Sequence, residues 1–264
     1  MMAQLINRRQ VKLEARQLLK QATVSATGMV ALLSLLQMLM NLLGSLSDHV
    51  DIPMLGTFLY ILTMLMNLVL SAGFTLYCMT IRRGEHAEYM TLFDGFSMVG
   101  KIVSLYFLET FFITLWSMLF LFPGIIAAYR YRFAIYNLLE NPDLGIFQAL
   151  ELSKRQTMGY KMQCFLLDFS YMGWLVLATL PTYLVNLSYT MTAFSYEMSP
   201  FFLMLSQFPT EGAIVICGLW NMLISFFYSA NMACSDLEYF EIAKTTSGLT
   251  AFSDPFQNNS ATPF

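Results

Sequence analysis

The sequence predicts an all-α fold: a polytopic membrane helical bundle of about six transmembrane helices with cytoplasmic amphipathic helices. Three observations carry this. Of the 264 residues, 57% are apolar and only 12% are charged, about half the charged share of a soluble domain. The apolar residues fall in blocks of about 20, the length needed to cross a hydrocarbon core. Lys and Arg cluster between alternate blocks, as the positive-inside rule requires. The net charge of −3 gives no reason to expect a nucleic-acid partner.

Residues 1–21 form the first element, a cytoplasmic amphipathic helix. Arg8, Lys12, Arg16 and Lys20 are four apart and share one stripe, while Val11, Ala15, Leu18 and Ala22 share another. Such a helix lies on a membrane surface with its cations toward anionic headgroups, and the same charges also orient the chain. A cleaved signal peptide is not expected, because the apolar run from Val24 is too long and no small-residue cleavage site follows it.

The membrane domain covers 22–240, with spans expected near 24–46, 55–80, 102–121, 125–140, 162–180 and 213–234. A short loop at 47–51 contains no Lys or Arg. Arg82 and Arg83 close the second span, and a polar excursion ends at Lys101. The fifth span is expected to stop before Pro181. Residues 182–210, cut by Pro200 and Pro209 and carrying only Glu197 as a charge, read as an outside-facing segment resting on the membrane or packed over the bundle. The tail 241–264, rich in Ser, Thr, Asn and Pro, reads as disordered.

The fourth span is the decisive one. If 125–140 did not cross, Lys154, Arg155 and Lys161 would sit opposite every other basic cluster, against the positive-inside rule. If the chain doubles back at Pro123-Gly124, a pair suited to a tight turn, all basic clusters fall on one side. The expected topology is therefore multi-pass with both termini cytoplasmic. A rhythm accompanies it. Lys20, Lys101 and Lys161 precede outgoing spans, and Glu109, Trp116 and Pro123 parallel Asp168, Trp174 and Pro181 at a nearly fixed offset, as in a repeat of helical hairpins.

Crossing at 125–140 would place Arg130 and Arg132 in the hydrocarbon zone, where a cation costs on the order of 2.5–3.5 kcal/mol or more and must pair, face the interior or snorkel. Glu109 and Asp168 are the candidate partners. Glu109, Arg132 and Asp168 each fall about two turns, roughly 10 Å, from the cytoplasmic end of their helices. Positions two apart point about 200° apart, so the arginines cannot share a face. Arg130 lies with Ala127, Ala134 and Asn137, and Arg132 with Tyr129, Tyr136 and Leu139. The cluster of Glu109, Arg130, Arg132 and Asp168 is thus read as structural or ligand-binding. Catalytic motifs are absent: no nucleophile elbow, H-E-x-x-H or phosphate-cradling glycine loop occurs. The four scattered cysteines and the loop histidines His49 and His86 show no metal spacing. No cofactor or metal is expected, and the protein is read as not an enzyme.

Several stretches together resemble a known family. They are Arg9…Lys12…Ala15-Arg16…Leu19, Leu92-Phe93-Asp94-Gly95-Phe96, Leu115-Trp116…Phe122-Pro123-Gly124-Ile125-Ile126-Ala127…Arg130-Tyr131, Glu140-Asn141-Pro142-Asp143…Gln148-Ala149-Leu150…Ser153…Met158-Gly159…Lys161, and Leu167-Asp168-Phe169-Ser170-Tyr171-Met172-Gly173-Trp174. The combination is similar to the bacterial integral membrane family catalogued as domain of unknown function 975. The chain departs from that family's pattern at Phe227-Tyr228 and in 182–210. The resemblance implies a multi-spanning protein of the bacterial plasma membrane and no particular activity. The function expected is contact with membrane lipids, through Arg8, Lys12, Arg16 and Lys20, or with a membrane-protein partner. The alternative is a small-solute or ion transporter that uses the charged cluster.

Overall fold

The computed structural model describes residues 5–22, 24–45, 53–193, 200–207 and 210–248. All regular structure among them is helical. In order, the helices are α1 (Arg8–Gln21), α2 (Ala26–Ser45), α3 (Pro53–Arg82), a 3₁₀ segment (Tyr89–Met98), α4 (Val99–Leu119), α5 (Leu121–Tyr131), α6 (Ala134–Glu140), α7 (Ile146–Gln156), α8 (Lys161–Ala193), α9 (Pro200–Ser206) and α10 (Thr210–Ser247). Five of these stretches are long and apolar enough to cross a membrane: 26–45, 54–82, 89–119, 161–191 and 212–247. Their outward faces carry large apolar side chains, among them Phe58, Phe107, Val176, Ile216 and Phe227. In water such a surface would aggregate, whereas lipid solvates it.

α1 is capped by Asn7, whose Oδ1 accepts from the Arg9 and Gln10 amides. Its apolar stripe buries Val11 and Ala15. The helix is fastened across α8 and α10: Gln163 accepts from the Ile6 amide at 2.9 Å, Asn231 donates to the Lys12 carbonyl at 3.1 Å, and Lys12 Nζ sits 3.8 Å from the Tyr171 ring centre. Burial and the Arg8 and Arg16 charges one turn away lower the Lys12 ammonium pKa.

α2 packs along α10 in the opposite sense, with Gly218 against Met38, and Thr27 and Val30 near Phe226 and Ala230. α3 admits the 3₁₀ segment at Gly73, where a Cβ would lie 1.8 Å from the Leu92 carbonyl oxygen. Only glycine fits this approach.

The fourth expected span, 125–140, is not one continuous helix. Phe120, in extended conformation, ends α4. Pro123 follows in the first turn of α5, where its missing N–H costs nothing. α5 and α6 are separated at Arg132-Phe133. α7 supports the break: Ser153 Oγ accepts from the Phe133 amide and donates to the Arg130 carbonyl, to which Thr157 also donates. The pair nevertheless runs back along all of α4. Ser117 faces Gly124, the Phe112 and Tyr131 rings are 5.9 Å apart, and Lys101 Nζ donates to the Pro142 carbonyl. The doubling back at Pro123 is therefore present, with a segmented return leg.

Two further expectations are corrected. α8 does not stop at Pro181 but runs 33 residues in all, from Lys161 to Ala193. Proline removes the N–H that would bond residue 177, and the freed Leu177 carbonyl accepts instead from Trp220 Nε1 of α10 at 2.8 Å. Part of the expected outer segment 182–210 is thus the end of α8, with α9 packed on it. The expected disordered tail begins too early, because α10 runs to Ser247 with Leu237, Tyr239, Phe240 and Ala243 buried. The loop at 47–51, Glu197, Pro209 and residues 249–264 lie outside the described residues. The parallel between hairpins ends at the prolines, since Pro123 opens α5 whereas Pro181 lies within α8.

Candidate functional site

The turn between α5 and α6 delivers Arg132 into the space between α8 and α10. Its guanidinium forms two hydrogen bonds to Asp168, Nη1 to Oδ2 at 2.5 Å and Nη2 to Oδ1 at 2.7 Å. Nε donates to Asp236 Oδ1 at 2.7 Å. Each carboxylate takes one more donor: Tyr129 to Asp168 at 2.8 Å and Tyr136 to Asp236 at 2.9 Å. The side chains of Arg132, Asp168 and Asp236 are 17%, 25% and 15% exposed. Fork-to-carboxylate geometry of this kind gives direction as well as attraction. One cation meets two anions, and the tyrosine hydroxyls absorb the surplus acceptor capacity.

Further charges extend the network along α10. Arg82 pairs with Glu238 at 2.9 Å and reaches Glu241 at 3.7 Å, while Lys244 bridges Glu140 at 2.5 Å and Glu241 at 3.3 Å. α3, α5, α6 and α8 are thereby tied to one helix. Next to it, Asn137 and Gln156 exchange two amide hydrogen bonds at 2.8 and 3.1 Å, joining α6 to α7.

Of the four residues expected to cluster, Arg132 and Asp168 meet. Arg130 does not join them: its Nε is buried with no hydrogen-bond partner among the described residues. Glu109, on α4, forms no hydrogen bond or ion pair with them either. Asp236, Tyr129 and Tyr136 complete the group. The signal for Asp236 was the apolar spacing Leu237, Phe240, Ala243 beyond Cys234, which continues a helical face into the charged region. Depth differs as well. α2 has 20 residues, about 30 Å, and its first turn lies against Phe226–Ala230 of α10. Asp236 is six residues further along, about 9 Å past the end of α2. The charged group sits at the end of the spans, on the level where α1 crosses them.

Arg8, Lys12, Arg16 and Lys20 all belong to that same end. So do the remaining cations, because Arg82 and Lys244 join α10 there, Lys101 meets the 141–143 turn, and α7 carries Lys154 and Arg155 beside the α5–α6 break. All fourteen Lys and Arg residues lie on helices or loops gathered at this end. Among the described residues no group of three or more His, Cys, Asp or Glu could hold a metal ion.

No curated protein and no solved structure matches the chain. The family model described as "Protein of unknown function (DUF975)" matches residues 119–207, the stretch from the end of α4 through α9 that contains Arg130, Arg132 and Asp168, and this match bears out the resemblance read from the motifs.

Proposed function

We propose that the protein is a non-enzymatic multi-pass protein of the bacterial plasma membrane, with both termini cytoplasmic, that works through contacts of its basic face with anionic lipid or a membrane-protein partner. One observation carries the reading. α1 is fixed across α8 and α10 at the end of the bundle that holds the basic residues, with Arg8, Arg9, Arg16 and Lys20 exposed. The positive-inside rule assigns that end to the cytoplasm, whose leaflet is anionic. The charged group around Arg132 supports the reading in a different way. Its hydrogen bonds are spent inside the protein, so it serves as a clamp between helices rather than a place for a substrate.

Hydrogen–deuterium exchange of the full chain in nanodiscs tests this. α1 amides should exchange more slowly in discs with anionic lipid than in zwitterionic discs, and equal exchange would refute the lipid contact and leave only the protein partner.

A second reading, transport of a small polar solute, is favoured by a cavity of about 310 Å³ between α2, α8 and α10. Ser34, Gln37, Asn41, Thr182 and Asn221 line it near mid-span, where polar groups commonly mark a pathway. Native Cys217 also lines it. Labelling of Cys217 by a membrane-impermeant thiol reagent would favour transport, and protection would favour the contact reading.

A further inference from the structure

A cleft of about 670 Å³ opens where α1, the start of α2 and α10 meet. Its upper wall carries Arg16 and Lys20, one turn apart, with Ser25 beside the start of α2. Its lower wall is Val30, Phe226 and Phe227, which face the apolar thickness spanned by α2. No Asp or Glu among the described residues lines it. The one carboxylate of α1, Glu14, is held by Gln10 at 2.8 Å. Arg16 and Lys20 are exposed and form no ion pair with the described residues. Two unspent cations stand above an aromatic and aliphatic slot, at the level where the spans begin.

We propose that this cleft is a binding site for one anionic glycerophospholipid. The headgroup phosphate lies between Arg16 and Lys20, near the positive dipole end of α2, and an acyl chain follows Phe226, Phe227 and Val30 toward the bilayer centre. A soluble anion would satisfy the cations and leave the apolar wall bare. A zwitterionic lipid would fill the wall but bring its own cation against Arg16 and Lys20. Only a lipid with net negative charge matches both halves. The inference rests on the proposed contact of α1 with an anionic membrane and narrows it to a single saturable site.

The test is a thermal-stability titration of the detergent-solubilised full chain, at constant ionic strength, with dioleoyl phosphatidylglycerol, dioleoyl phosphatidylcholine or inorganic phosphate. Phosphatidylglycerol should raise the unfolding temperature saturably, and the other two should not. Arg16→Gln/Lys20→Gln should move the half-saturating concentration up by roughly 30-fold. Arg16→Lys/Lys20→Arg should restore it, which separates lost binding from a folding defect. Lys154→Gln/Arg155→Gln, on α7 outside the cleft and paired with Glu151, should leave the midpoint unchanged. If both Gln pairs weaken an unsaturable effect equally, general surface attraction stands and the cleft is refuted. If no anionic lipid has any effect, the cleft proposal and the lipid contact it rests on both fall.

Discussion

Arg132 shows how one side chain can fix four others. Removing one partner from a buried ion pair leaves an unpaired charge and costs on the order of 3 kcal/mol. Asp168→Asn and Asp236→Asn should therefore each lower stability markedly in a denaturant titration of the solubilised chain, and Asp168→Arg should lower it further. Pairing Asp168→Arg with Arg132→Asp should recover only part of that loss, because Asp236 would then face a carboxylate at position 132. Adding Asp236→Asn should recover more. Full recovery by the double exchange alone would show that Asp236 is not a partner. Gly73 makes a separate case at this scale. With the Leu92 carbonyl where its Cβ would stand, Gly73→Ala should cost about 1–3 kcal/mol or more through displacement of the 3₁₀ segment.

Among the elements, α8 and the α4–α5 hairpin owe their form to neighbours as much as to their own residues. Trp220→Phe should cost about 1 kcal/mol by leaving the Leu177 carbonyl unsatisfied. In a Pro181→Ala background that cost should nearly vanish, because the restored amide at 181 bonds residue 177 itself. Equal cost in both backgrounds would contradict the pairing. In the hairpin, the Cβ built on Gly124 lies 2.9 Å from that of Ser117, which a small shift brings to disulfide spacing. Ser117→Cys/Gly124→Cys, in a chain with Cys78, Cys164, Cys217 and Cys234 replaced, should form a disulfide on mild oxidation, detected by mass spectrometry. Free thiols at both positions would mean that α5 does not fold back on α4. The amphipathic stripes of α1 were visible in the sequence because four-residue spacing alone sets them. The continuation of α8 was not, since a proline rule reads one position and Trp220 is 43 residues from the Leu177 carbonyl it satisfies.

For the molecule as a whole, the prediction concerns sidedness. Cysteines at Met158 and Phe122, both exposed, should be labelled by an impermeant maleimide from opposite faces of sealed vesicles, Met158 from the side of α1. Labelling from one face would refute the topology. The charge bookkeeping that leads to this topology needed no coordinates, because the distribution of fourteen cations among the loops already separates crossing from non-crossing. The candidate site was less legible. Two arginines and two acids gave several pairings, and helix periodicity fixes only direction around an axis. The choice of Arg132 over Arg130 depends on the α5–α6 break, which Ser153 and Thr157 stabilise from α7.

The sequence by itself determined a membrane-embedded helical chain, a basic amphipathic first helix and a turn at Pro123, because composition, spacing and local backbone chemistry are properties of short stretches. Only the tertiary structure decided where α8 and α10 end and which charges meet. A helix continues past proline or into charged residues when another helix supplies the missing donor or counter-charge, and no stretch of sequence contains both partners.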